Sequence, residues 1–153
     1  MADKIPLVAV VGPTASGKTG LGIAIAKRYG GEVVSADSMQ IYRTMDIATA
    51  KPTLEEMDGV PHHLVDFWEP AQPFSLAQYI ELAKKVIADI HSRGKLPVLV
   101  GGTGLYISTL LDNITLGESG GDETLRAELL REAEEKGNTY LLEQLRVFDP
   151  ETA

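Results

Sequence analysis

No cysteine occurs among the 153 residues, which excludes a disulfide framework and any zinc site built on thiolates. Long apolar runs are missing as well: no segment approaches the ~20 residues that a membrane-spanning helix needs. Asp3 and Lys4 lead into an apolar run too short for the core of a secretory leader, so none is expected. Basic charge is scarce. Lys and Arg number 14 against 22 Asp and Glu, a formal net charge of −8, which argues against a nucleic-acid surface over the whole chain. The deficit is uneven, however: residues 1–117 carry 10 basic and 12 acidic side chains, and residues 118–153 carry 4 and 10. The acidity therefore sits mainly in the tail. Hydrophobic and charged fractions of 44% and 24% are ordinary for a soluble globular protein, and a cytoplasmic location is expected.

What the chain does have is the stretch Gly12-Pro13-Thr14-Ala15-Ser16-Gly17-Lys18-Thr19, which reads G-x-x-x-x-G-K-T. Its context fits a phosphate-binding loop. Leu7–Val11 before it reads as a buried strand. After it, Leu21, Ile25 and Tyr29 recur at helical spacing, and Lys27-Arg28 precede a stop at Gly30-Gly31. Strand, glycine loop and helix together form an anion site, because backbone N–H groups curl round phosphate oxygens at the positive end of the helix. Lys18 would reach a terminal phosphate, and the Thr19 hydroxyl would ligate Mg²⁺.

Further on, Glu32–Ala36 reads as a second strand with Asp37 at its carboxyl end, where open α/β sheets bind ligands. Residues 43–61 read as loop, with a break at Lys51-Pro52-Thr53 and an acidic turn at Glu55-Glu56. His62–Val65 reads as a short strand. Ser75 and Gln78 form a capping box, with Phe74 and Tyr79 placed as a hydrophobic staple, for a helix closing at Arg93-Gly94. Leu96–Val100 reads as another buried strand that runs into a second glycine loop, Gly101-Gly102-Thr103-Gly104, and Leu105–Leu111 as a helix. Residues 115–121 shift to Gly, Glu and Ser and read as a linker. Asp122 caps a helix that ends at Lys136-Gly137, and a shorter one follows with Leu141, Leu142 and Leu145. Asp149-Pro150-Glu151 reads as a further helix start. It has no body after it, so the chain is expected to be part of a longer protein.

Two candidates stand beside the phosphate loop, each with a plainer alternative. Asp37 is either a general base, a ligand for metal or water, or a turn residue closing a strand. Thr103 either presents its hydroxyl to the same cleft or caps a helix. His62 and His63 are adjacent, so on a strand they point to opposite faces and make a poor metal pair; packing and hydrogen bonding suit them better. One absence is informative. Motor and switch NTPases need an apolar strand ending in Asp to hold Mg²⁺, whereas Val98-Leu99-Val100 ends in Gly-Gly. A transferase working at the phosphate loop fits better than an ATPase.

Taken in order, Gly12–Thr19 (GPTASGKT), Asp37–Gln40 (DSMQ) with Ile41-Tyr42, Thr49–Pro52 (TAKP), Pro61–Leu64 (PHHL) and Gly101–Tyr106 (GGTGLY) resemble the bacterial tRNA dimethylallyltransferases over essentially the whole chain. The resemblance implies a P-loop nucleoside-triphosphate-hydrolase-like three-layer α/β fold with a parallel sheet over 1–117, and the start of an inserted helical domain over 118–153. It implies transfer of a dimethylallyl group from dimethylallyl diphosphate to the N6 amine of an adenosine beside the anticodon of tRNA. The loop Gly12, Pro13, Thr14, Ala15, Ser16, Gly17, Lys18 and Thr19 would hold diphosphate, although such loops are commonly described as ATP sites. Asp37 would be the base on the amine, Thr103 would sit at the reacting centre, and Ser38, Met39, Gln40 and Arg126 would join them in contacting tRNA. Mg²⁺ on Thr19 is the implied cofactor, and the protein is expected to be a cytoplasmic monomer away from membranes.

Family members run to about twice this length by the same resemblance. The chain alone is therefore expected to bind diphosphate weakly and to lack transfer activity. The competing readings are a small-molecule kinase of the phosphate-loop class, a transferase that moves the same allyl group to free adenine nucleotide, and a phosphate-binding module without turnover.

Overall fold

The computed structural model describes residues 5–114 and 122–153, which fall into two compact units, Met1–Thr115 and Leu116–Ala153. The linker expected over 115–121 lies outside the described residues. The first unit holds four strands: β1 (Val8–Val11), β2 (Glu32–Ala36), β3 (His62–His63) and β4 (Pro97–Gly101). All pair in parallel in the order β1-β4-β2-β3. Its helices are α1 (Lys18–Tyr29), α2 (Leu54–Met57), α3 (Leu76–Ser92) and α4 (Gly104–Leu111). The second unit is a pair, α5 (Glu123–Lys136) and α6 (Asn138–Phe148).

Parallel strands need crossovers, and their helices bury both faces of the sheet. This is why β2 and β4 are buried at every position rather than alternating. Val10, Val33, Val98 and Val100 form one buried cluster with Ile23 and Ala26 of α1. Residues between them in register, Val34 and Leu99, point the opposite way. They are fully buried where α3 packs against β2 and β4. Ser75 and Gln78 close the capping box of α3 as the sequence suggested. Their neighbours take other partners than a staple would give: Phe74 joins Phe67 and Trp68 in an aromatic cluster, and Tyr79 stacks on Tyr106 at 4.0 Å.

Residues 43–61 are not all loop. Thr53 and Glu56 form a reciprocal capping box, a T-x-x-E signal, that starts the four-residue α2 where the acidic pair alone suggests a turn. In the second unit Asp122 accepts from the Thr124 and Leu125 amides and caps α5, and neither α5 nor α6 has a buried residue among those described. Asp149 accepts from the Thr152 amide while Ala153 N–H reaches the Asp149 carbonyl, one capped turn as at the start of a helix.

Candidate active site

The carboxyl ends of β1, β2 and β4 converge, and three loops leave from them. After β1 the phosphate loop turns through Ala15 and Gly17, both left-handed (φ 63° and 79°), and Gly17 caps α1 without a side-chain bond. Residues 18 and 19 therefore open the helix, with its first N–H groups aimed into the cleft. Lys18 donates to the Pro13 carbonyl at 2.9 Å and Ser16 donates to the same oxygen at 2.8 Å, so the loop holds its own shape.

After β4 comes the second glycine loop, pressed close on both neighbours. A Cβ at Gly101 would lie 2.2 Å from the Ala36 carbonyl oxygen, and one at Gly102 would lie 3.2 Å from the Gly12 carbonyl and 3.7 Å from Lys18 Nζ. Only glycine permits the approach at position 101, and position 102 is a tight fit. These approaches allow the Thr103 amide to reach the Ala36 carbonyl at 3.1 Å. The Thr103 hydroxyl accepts from the Ser38 amide at 3.0 Å and lies 3.4 Å from the Ser38 hydroxyl, and it makes no cap bond to α4. The helix-cap alternative for that hydroxyl is thereby set aside. It pins the start of the DSMQ segment instead.

Asp37 ends β2 half-buried. Its Oδ1 accepts from the Met39 amide at 2.9 Å and more weakly from Gln40 at 3.4 Å, an Asx turn. Only this oxygen is occupied among the described contacts. The turn orients the carboxylate, so the turn-residue and base readings are compatible in one side chain. Gln40 faces inward, accepting from Ser35 Oγ at 3.3 Å and donating to the carbonyls of Ala50 at 2.9 Å and Thr49 at 3.4 Å. Met39 is exposed beside it. Beneath the segment, the buried Tyr79 hydroxyl donates to the Ser35 carbonyl at 3.0 Å. Burial, with the neighbouring Tyr106, pushes the Tyr79 phenol far above its usual range, so it remains a donor.

Thr14, Ala15, Gly17, Lys18 and Thr19 share a cleft of about 670 Å³ with Asp37, Met39, Gln40 and the strip Ala48–Pro52. Phosphate donors and a candidate base thus face one space. Thr19 is half-buried on its wall, and a hydroxyl there is a hard oxygen donor that suits Mg²⁺. Arg126 belongs to the second unit. It lies exposed in the first turn of α5, where it lines a groove with Leu125, Leu129 and Leu141.

The two histidines do structural work with separate partners. His62 Nδ1 bonds to the Val60 carbonyl at 2.8 Å, and burial lowers its pKa, so it is held neutral. His63 Nε2 meets Glu32 Oε2 at 2.7 Å. Glu32 also accepts two bonds from Arg93, and that guanidinium, outweighing burial and helped by His63, holds the carboxyl down at about 2. Among the described residues no group of three or more His, Cys, Asp or Glu could hold a metal, and no helix is long and apolar enough to cross a membrane.

A parallel sheet whose first strand feeds a glycine loop into a helix defines a protein of the P-loop nucleoside-triphosphate-hydrolase-like fold. Two family profiles match, IPP transferase over residues 40–153 and isopentenyl transferase over residues 5–70. The tRNA dimethylallyltransferase of Caldanaerobacter subterraneus subsp. tengcongensis is 52% identical over 149 residues, covering 97% of this chain and 47% of that protein. The crystal structure of the full-length tRNA isopentenylpyrophosphate transferase from Bacillus halodurans superposes with a TM-score of 0.73 at 51% identity, over 97% of this chain and 49% of that one. A eukaryotic dimethylallyltransferase caught acting on tRNA gives a TM-score of 0.70 at 35% identity over 74% of this chain and 28% of its own. The chain belongs to the tRNA dimethylallyltransferase family. It spans about half the length of the relatives it matches.

Proposed function

We propose that this protein transfers a dimethylallyl group from dimethylallyl diphosphate to the N6 amine of an adenosine beside the anticodon of tRNA. The observation that carries this is the shared cleft: Asp37, with one carboxylate oxygen anchored by the Met39 amide, faces the space lined by Lys18 and Thr19. The relatives' names supply the substrate class.

In the reaction the bond between the allylic carbon and the diphosphate oxygen breaks, and a bond from that carbon to the amine nitrogen forms. The pair of electrons of the broken bond leaves with the diphosphate, and the proton on nitrogen goes to Asp37. An adenine amine is a poor nucleophile, so a carboxylate that accepts its proton as the bond forms lowers the barrier. Asp37 Oδ1 is held by the Asx turn, so Oδ2 is the oxygen left to take the proton. The departing negative charge would be stabilised by the loop N–H groups, the N-terminus of α1 and Lys18. Thr19 would hold Mg²⁺, which supplies further charge neutralisation on the diphosphate when bound. Thr103 keeps Ser38 and hence the base segment in place. Met39, exposed on the cleft wall, would contact tRNA, and Ser38 and Arg126 would join it as the resemblance implies. Gln40 contributes through the fold of the segment, since its amide is engaged inside. ATP on the same loop is the kinase alternative, and a β4 that ends in Gly-Gly gives it no support. A monomer in the cytoplasm fits a tRNA-modifying enzyme.

The test is incubation of this chain, and of a protein of the relatives' full length, with labelled dimethylallyl diphosphate and Mg²⁺. Unmodified tRNA, AMP and ATP serve as separate acceptors. Label in tRNA alone is the expected result for the longer protein. Label in AMP or ATP assigns the free-nucleotide transferase, and γ-phosphate release from ATP assigns the kinase. The chain alone is expected to bind diphosphate without transferring the group, because RNA affinity falls steeply as cationic phosphate contacts are lost.

A further inference from the structure

The strip that faces the phosphate loop across the cleft belongs to the Thr49–Pro52 segment, whose chemistry the reaction above does not use. Its lysine is buried: the Lys51 side chain is 8% exposed, while those of Asp46 and Asp66 are 70% and 54% exposed. Lys51 Nζ donates to the Tyr42 carbonyl at 2.8 Å, to Asp46 Oδ1 at 2.7 Å and to Asp66 Oδ1 at 2.6 Å. An ammonium has three donors, and these three acceptors use them all. Burial works to lower the Lys51 pKa, and the bonds to the two aspartates outweigh it and raise it, so the side chain stays a cation.

The backbone that Lys51 gathers is one that would not hold its shape unaided. Thr44, Ala48 and Ala50 are all left-handed (φ 61°, 62° and 51°) without being glycine. No helix or strand spans residues 43–53. The loop is kept by side chains instead: Lys51 across its neck, the Gln40 amide on Ala50, and the buried Thr49 hydroxyl on the Met45 carbonyl at 2.7 Å. Asp66 in turn is fixed by its amide to the Gln40 carbonyl at 2.9 Å. Ala48, Ala50 and Pro52 line the cleft with Met39 and Ile23, and they share it with Lys18 and the loop residues that suit phosphate. An ester bound with its diphosphate on the loop places its organic part toward this wall.

We propose that Lys51 is a positioning residue that locks the Tyr42–Pro52 loop as the wall against the organic group of the diphosphate ester, without touching the diphosphate. The proposal rests on the diphosphate-ester reading of the cleft. It accounts for a cation in a phosphate-binding cleft whose donors are all turned away from the phosphate loop. The opposing possibility is that Lys51 leaves its aspartates and becomes a second phosphate ligand.

The two differ in calorimetric titrations of this chain, with Mg²⁺, against dimethylallyl diphosphate and methyl diphosphate, which carry the same charge and differ only in their apolar part. Two variants are compared with the unmodified chain: Lys51→Met, which removes the cation, and the pair Asp46→Asn with Asp66→Asn, which keeps it and weakens its anchors. The expected result is that methyl diphosphate affinity stays within about threefold in both variants, since the phosphate loop is built locally. The advantage of the dimethylallyl ester should fall about tenfold in both, as one or two apolar contacts are lost. Amide exchange over 44–51 should rise in both while the β2 and β4 amides stay protected, which shows that the sheet is intact. Loss of methyl diphosphate binding in Lys51→Met, with retained or tighter binding in the aspartate pair, would overturn the proposal and make Lys51 a phosphate ligand. An unchanged ester advantage in both variants would overturn it as well, leaving Lys51 a structural staple. An unmodified chain that shows no advantage for the dimethylallyl ester would refute the function proposed for the cleft, and the role of the wall with it.

Discussion

The two units of this chain are both helical at their surfaces, yet they are built on different principles. In the first, β2 and β4 are buried along their whole length, and Val34, Leu99, Ile90 and Tyr79 are shut off from solvent. In the second, α5 and α6 are well formed and well capped, yet Leu125, Leu130, Val147 and Phe148 are 51%, 60%, 78% and 86% exposed. Capping, i,i+4 pairs such as Lys136–Glu132 and helix-forming residues specify the helices of the second unit locally. A core needs layers, and two helices alone do not supply them. The difference teaches that secondary structure and burial are separate achievements of a sequence, and that the candidate site sits where both are present.

The largest effect should come from the base. Where allyl transfer is measured, Asp37→Ala should lower turnover by ~10²–10⁴-fold, with diphosphate affinity nearly unchanged. Near-normal turnover would reduce Asp37 to its Asx turn and move the base elsewhere. Next comes the contrast in packing. Leu99→Ala empties a site between sheet and helix and should cost about 2–5 kcal/mol in urea unfolding, whereas Leu130→Ala on α5 should stay within about 0.5 kcal/mol. Equal losses would erase the distinction between the units.

Acid should act on the first unit through Glu32. Its carboxyl is held at about 2, below its ordinary 4.5, chiefly by Arg93. A lowered carboxyl pKa stabilises the fold fully above pH 4.5 and loses that contribution as pH falls toward 2. Arg93→Met should therefore destabilise the fold at pH 6, by an amount that the partial exposure of Arg93 keeps modest. The variant and the unmodified chain should converge near pH 2. A difference that persists to that pH would point to lost packing of the Arg93 stem instead of the ion pair. The smallest effect belongs to the second unit: Asp122→Ala should cost α5 about 1 kcal/mol. Amide exchange should quicken in its first turn with no change at the phosphate loop.

Much of this was open to reading in the residues alone. The phosphate loop, both long-helix caps around Ser75 and Asp122, and the glycine loop after β4 rest on local chemistry, and local chemistry is written in short spans. The T-x-x-E box of α2 is just as local, but its Glu55-Glu56 pair also suits an acidic turn. Gln40 is a different case. The family resemblance implies that it contacts tRNA, yet its amide bonds Ala50, ten residues on. Lys51 and Asp66 lie fifteen residues apart, and nothing in either stretch announces the other.

By itself the sequence determined where strand, loop and helix begin and end, because caps, glycines and apolar periods act within a turn or two of the chain. It also determined which residues would stand at the carboxyl ends of the strands. Only the tertiary structure decided which oxygen of Asp37 is spoken for, that the Thr103 hydroxyl serves Ser38 and not its own helix, and that Lys51 spends its charge on two aspartates. Those choices depend on distances between segments brought together by burying the sheet, and burial is a property of the whole fold.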